Sequence, residues 1–123
     1  WNPPQTLVVH LKRFQYERSR FGERVGGQKI TDMVEFPVDS FDLAPYLADP
    51  SVNKQPVEYE LFAVSNHIGA LGGGHYTAHV KLADGEWDLM DDSVVTRVSK
   101  ADIVTREAYL LFFRRKPQGG GQR

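Results

Sequence analysis

Gly72-Gly73-Gly74-His75-Tyr76-Thr77-Ala78 places an imidazole directly after a glycine run, and Asp91-Asp92-Ser93 ends a strand-like segment that begins at Trp87. Histidine is the side chain whose ordinary pKa lies near neutrality, so it can take and return a proton at working pH. A neighbouring carboxylate that accepts an imidazole N–H fixes the tautomer and raises the pKa of such a base. The glycines let backbone approach a bound chain or adopt positive φ. A base oriented this way contributes about 10²–10⁴-fold in rate, given a nucleophile to act on. The sequence contains no cysteine, so a thiol nucleophile would have to come from another segment of chain.

The two features are joined by Asp84-Gly85, a hairpin turn signal. If 75–82 and 86–91 pair around it, His75 and Asp91 fall together at the far end of the hairpin. Alternation over His75 to Leu82 predicts Tyr76, Ala78, Val80 and Leu82 on a core face, with His75, Thr77, His79 and Lys81 pointing away. His10 and His79 sit mid-strand and read as structural. Tyr76, on the predicted core face, is the weaker site candidate.

Further strands are predicted at Thr6 to Phe14, Lys29 to Phe36, Val57 to Asn66 (Leu61, Ala63 and Tyr59 inward) and Ala108 to Phe113, the last fully apolar and central. Arg18 to Gln28 reads as a loop or hairpin turn, Ala48 to Pro56 as a loop and Gly69 to Gly74 as a mobile loop. One helical turn is expected over Asp42 to Leu47, capped by Ser40 or Asp42. A short capped helix is expected over Ser99 to Thr105, with Ser99 at the N-cap and Asp102 at N3. Together these give an α+β pattern, a mostly antiparallel sheet with minor helix.

Composition sets the outer bounds. At 123 residues, 41% hydrophobic and 25% charged, the chain is one domain or one large subdomain of ordinary globular character. A net charge of -1 gives no general attraction to nucleic acid or an anionic membrane. No apolar run approaches the roughly 20 residues that span a bilayer. The absence of cysteine excludes disulfides and cysteine-based zinc sites within the chain. Residues 1–116 form the folded part in this reading, with 117–123 a flexible tail; both ends fit a piece of a longer protein.

The motifs, taken in order, resemble the ubiquitin-specific proteases, a family of papain-like thiol deubiquitinases. Ala63-Val64-Ser65-Asn66-His67 running into Gly72 to Ala78 is similar to that family's histidine box. Asp91-Asp92-Ser93, Ala101 to Thr105 and Ala108 to Arg115 follow in the family's order, and Pro4 to Phe14 matches the strand that usually precedes them. The resemblance implies the β-rich palm of a papain-like fold, whose helical thumb carries the cysteine. By resemblance His75 is the general base and Asp91 its orienter, with Asp92 the alternative partner. Arg13, Phe14 and Tyr16 would line the site of ubiquitin's C-terminal tail. Ser65 to Gly73, with His67, would form a blocking loop, and Gly73, Gly74 and Tyr76 would wall a narrow cleft.

The implied activity is hydrolysis of the isopeptide, peptide or thioester bond after ubiquitin's C-terminal glycine, completed by a cysteine-bearing segment absent from this chain. The chain alone would then be inactive. Implied partners are ubiquitin, ubiquitinated proteins and that segment, with no nucleic acid, membrane, metal or cofactor, in the cytoplasm or nucleus. The rival reading is a catalytically inactive ubiquitin-binding or scaffold module of the same fold. The sequence departs from the family at Asp88 and Met90, where aromatics are common, and at Ala70, a frequent glycine. It also lacks the family's paired-cysteine zinc ribbon.

Overall fold

The longest strand organises the rest. β5 (Glu58–Ile68) pairs with β6 (His75–Lys81) on one side and with β9 (Ala108–Arg115) on the other. β1 (Thr6–His10) adds outside β9, while β7 (Trp87–Asp91) and β8 (Val94–Val98) continue beyond β6. The short β4 (Phe41–Asp42) joins the Tyr59 end of β5. Every one of these pairings is antiparallel. β2 (Phe14–Arg18) and β3 (Arg24–Lys29) form a separate two-stranded ribbon. This computed structural model describes residues 3–18, 20–22, 24–47, 57–69 and 73–117. The expected loop at Ala48 to Pro56, the glycine-loop tip at 70–72 (Ala70 included) and the tail from Gln118 onward lie outside the described residues.

The central strands are rich in β-branched and aromatic residues, which fit a pleated, half-buried surface. One face of the sheet is the core. Tyr59, Leu61, Val64, Trp87, Ala108, Leu111 and Phe113 are all at most 3% exposed. Leu7, Val9 and Leu11 extend this face at the β1 edge, and Phe36, Val57 and Ile103 cover it. A register shift between Leu61 and Ala63 inserts one extra residue in β5 against β9. Because side chains alternate with period two, such a bulge switches the inward set. Tyr59 and Leu61 point inward before it, Val64 and Asn66 after it, and Ala63 is only half-buried. The expected inward Ala63 is thus displaced by the bulge.

Three further boundaries differ from the sequence reading. The strand expected to reach Phe14 stops at His10, although Leu11 N–H still donates to the Tyr109 carbonyl at 2.9 Å. The stretch read as loop or turn from Arg18 contains β3, whereas 30–37 runs as irregular chain. That segment needs no ladder, because the buried Arg13 guanidinium donates to the carbonyls of Ile30 (3.3 Å) and Asp32 (2.6 Å). Both expected helices shrink to single 3-10 turns, Ala44–Tyr46 and Lys100–Asp102. Asp42 Oδ1 accepts from Ala44 N–H at 3.0 Å, but Leu43, not Ser40 or Asp42, is the N-cap of that turn. The second turn has Ser99 at its N-cap as expected, with Asp102 Oδ2 accepting from Ser99 N–H at 3.3 Å.

Candidate active site

β6 and β7 are joined at one end by the turn the sequence marks. Gly85, at φ 88°, donates its N–H to the Leu82 carbonyl at 2.9 Å, and Asp84 Oδ1 accepts from Glu86 N–H. A left-handed glycine in such a connection matches the right-handed twist of the strands it joins. From this turn the register runs Lys81 opposite Trp87, then His79 opposite Leu89, then Ala78 opposite Met90. One step further brings Thr77 opposite Asp91. His75, two residues on and on the same face, is Asp91's diagonal neighbour, within reach of a long side chain.

That diagonal is closed by a hydrogen bond. His75 Nε2 lies 2.5 Å from Asp91 Oδ1, with both side chains nearly half exposed. A carboxylate accepts, so Nε2 carries the proton and Nδ1 is left as the imidazole's free basic nitrogen. The hydrogen bond to Asp91 and then its charge raise the His75 pKa above its ordinary 6.5; partial desolvation opposes them and Asp92 adds to them.

Asp92 occupies the first of two turn residues between β7 and β8 and takes φ 53°. Asp tolerates this left-handed region better than most residues. In this structure Asp91, not Asp92, accepts the hydrogen bond from the imidazole. Among the described residues, His75, Asp91 and Asp92 are also the group able to surround a cation, with ligand atoms within 4.8 Å of one another. A cation there would compete with the imidazole proton for Asp91.

The rest of β6 has the opposite phase from that expected. Thr77 and His79 are 7% and 6% exposed, whereas Tyr76 is 56% exposed. The cause is a buried polar cluster that alternation of hydrophobic letters does not show. Asn66, 2% exposed on β5, donates its Nδ2 to Thr77 Oγ1 and to His79 Nδ1, each at 3.2 Å. Paired polar groups can be buried without leaving their hydrogen bonds unmade. An open pocket of about 190 Å³ is lined by this cluster together with Ile68, Leu89, Thr105 and Glu107.

The substrate-side candidates separate into two groups. Phe14 packs edge-on to His67 and Tyr109, with ring centroids 5.4 Å and 5.8 Å apart, and lines an open pocket of about 290 Å³ with His10, Lys12, Arg13 and Tyr109. Tyr76 stands exposed over His67 on the sheet face opposite His75, and Gly73 and Gly74 lead into His75.

Arg13 and His67 are different, each only 3% exposed. The Arg13 Nε donates to the Ala108 carbonyl at 2.9 Å, and Nη2 finds no acceptor among the described residues. Arg13 therefore ties the 30–32 segment to the start of β9 while also lining the Phe14 pocket. His67 holds the Gly73 carbonyl at 3.0 Å and is likewise enclosed in this structure. The backbone of Tyr16 lies in β2, but its side chain is outside what is described.

Sequence reasoning missed the Asn66–Thr77–His79 cluster and the Arg13 staple. The one signal available was the run of polar residues at alternate β6 positions, which fits either face.

Comparison with known proteins places this geometry in a family. The family model for ubiquitin carboxyl-terminal hydrolase matches residues 1–113. Ubiquitin carboxyl-terminal hydrolase 5 of Arabidopsis thaliana is 43% identical over 99% of this chain, which covers 13% of that protein. Ubiquitin carboxyl-terminal hydrolase 15 of Homo sapiens is 43% identical over 98% of this chain and 12% of its own length. Among solved structures, a chain of the yeast SAGA DUB module superposes with a TM-score of 0.78 at 31% identity, covering 94% of this chain and 24% of that one. A SAGA DUB module bound to ubiquitin aldehyde gives 0.78 at 30% identity, covering 94% and 25%. The chain thus spans about an eighth of the length of these curated relatives. The chain belongs to the ubiquitin carboxyl-terminal hydrolase family.

Proposed function

We propose that this chain supplies the base and its orienter to a ubiquitin-specific cysteine protease, and that a cysteine on a segment outside this sequence supplies the nucleophile. The observation that carries the reading is the His75–Asp91 hydrogen bond, which leaves Nδ1 free. In the proposed cycle the thiol gives its proton to His75 Nδ1, and the thiolate attacks the carbonyl of ubiquitin's terminal glycine. The imidazolium then protonates the departing lysine amine as the C–N bond breaks. Water, deprotonated by the same His75 nitrogen, hydrolyses the thioester and returns the thiol. Asp91 keeps the imidazole in the tautomer the cycle needs and stabilises its charged form.

Ubiquitin's C-terminal tail is the substrate class by family membership. The exposed Tyr76, the glycine backbone at 73–74 and the Phe14 pocket are the surfaces proposed to meet it. In this reading the chain by itself is inactive, since it has no cysteine, and needs neither metal nor cofactor. Partners are ubiquitin, ubiquitinated proteins and the cysteine-bearing segment, in the cytoplasm or nucleus. No helix among the described residues is long and apolar enough to cross a membrane.

The test is to mix this chain with the cysteine-bearing segment and follow cleavage of a fluorogenic ubiquitin C-terminal substrate. Turnover that requires both pieces supports the enzyme. Ubiquitin binding by the folded pair without turnover would replace it with the scaffold reading.

A further inference from the structure

Among the described residues, His67 makes a hydrogen bond from each of its polar groups but one. Its backbone N–H donates to the Glu107 carbonyl at 2.9 Å, and its carbonyl accepts from the Lys29 ammonium at 2.7 Å. Its ring Nε2 reaches the Gly73 carbonyl at 3.0 Å, while Nδ1 is buried without a partner among the described residues. A carbonyl can only accept, so Nε2 carries the proton and the ring is a single donor aimed at a single acceptor. Phe14, Tyr76 and Tyr109 pack around it, with centroids 5.4, 4.8 and 6.4 Å away.

Gly74 lies against this ring. At φ 111°, a Cβ there would fall 2.6 Å from the Ile68 carbonyl oxygen and 2.7 Å from His67 Nε2. A Cβ on Gly69 would fall 2.9 Å from Gly74 Cα. The two ends of the connection between β5 and β6 therefore meet in a seam with room only for glycine. His75 is the first residue of β6 beyond that seam.

We propose that His67 is a positioning residue for His75: by holding the Gly73 carbonyl it fixes where the glycine loop ends, and so where the imidazole of His75 stands relative to Asp91. The inference rests on the reading of His75 as the base and deepens it. His67 touches neither Asp91 nor the reacting atoms; it acts through two residues of backbone. The mechanism matters because misplacement of a catalytic group by about 1 Å costs on the order of 10²-fold in rate.

Two readouts keep this inference separable from the function it rests on. The first is the titration of His75 by NMR in this chain, where Asp91 and Asp92 are the charged groups that face it. His67→Leu keeps bulk but removes the donor, and should bring the His75 midpoint down toward 6.5. His67→Gln offers an amide N–H at similar reach and should recover most of the shift. Gly74→Ala, whose Cβ would crowd both the Ile68 carbonyl and His67 Nε2, should act like His67→Leu. The second readout is the reconstituted enzyme, where His67→Leu should lower kcat by about ten-fold or more and leave KM for ubiquitin substrate within about two-fold.

An unchanged His75 midpoint in His67→Leu overturns the proposal. So does a raised KM at constant kcat, which would make His67 a substrate contact, or a Gln variant as damaged as Leu, which would make it packing alone. Should His67→Leu fail to fold, the His67→Gln midpoint decides: retained supports the proposal, lost overturns it. If the reconstituted parent shows no turnover, the base reading fails while the NMR titration still settles the positioning.

Discussion

At the scale of single residues, the account turns on which way the His75 ring faces. Nε2 to Asp91 commits one nitrogen to orientation and leaves Nδ1 for chemistry. Replacing Asp91 by Asn removes the charge and the strongest acceptor, so the His75 midpoint should fall toward 6.5, readable by NMR in this chain. The direction also sets the pH sense of the pair. Because the folded pKa is raised, the pair's stabilisation is complete below about 6.5 and fades as pH rises through the raised value. In the reconstituted enzyme, Asp91→Asn should lower kcat by about 10²–10⁴-fold. The same change at Asp92 should shift the His75 midpoint less, because Asp92 acts on it only through charge. Equal shifts for the two variants would contradict the assignment of Asp91 as the partner.

At the scale of elements, β6 is where hydrophobic pattern and structure part company. Apolar letters at Tyr76, Ala78, Val80 and Leu82 predict the wrong inward set, because the face that is buried carries Thr77 and His79 bonded to Asn66. The bulge after Leu61 misleads in the same way, since one inserted residue inverts every later position of β5. Features set by local chemistry were legible: the Asp84-Gly85 turn, the Ser99 cap with Asp102 at N3, and the placement of His75 beside Asp91. Features set by a distant partner were not, and the Arg13 donation that replaces a strand at 30–37 is the plainest case.

The buried cluster has its own pH signature. Burial depresses the His79 pKa, partly offset by Asp102, so the unfolded chain binds more protons than the folded one below about 6.5. Stability is held above that pH and lost as pH falls, the reverse of the His75 pair. Thermal melts of the parent should drop between neutral and mildly acidic pH, and His79→Gln should flatten that drop. A drop of equal size in the variant would rule out His79 as its source.

At the scale of the whole molecule, one face of the sheet carries the core. Leu61 is 0% exposed at its centre, and Leu61→Ala should cost about 2–5 kcal/mol in a denaturant melt. A loss below about 1 kcal/mol would mean the site collapses around the smaller side chain. Exposed hydrophobics lie elsewhere. Ile68 (45%) and Val94 (59%) flank the His75 end of the core face, while Val8, Tyr76, Met90 and Val95 stand on the opposite face. The overall antiparallel architecture followed from the strand pattern and hairpin signals; the strands of the β2–β3 ribbon did not, because the charged, glycine-bearing stretch from Arg18 to Gln28 reads only as a loop or hairpin turn.

The most direct measurement is single-turnover formation of the ubiquitin thioester by the cysteine-bearing segment, with this chain added as parent or as His75→Ala. The account predicts rapid thioester formation with the parent and a loss of at least about 10²-fold with His75→Ala, at unchanged ubiquitin binding. Equal thioester formation by the two would show that His75 is not the base.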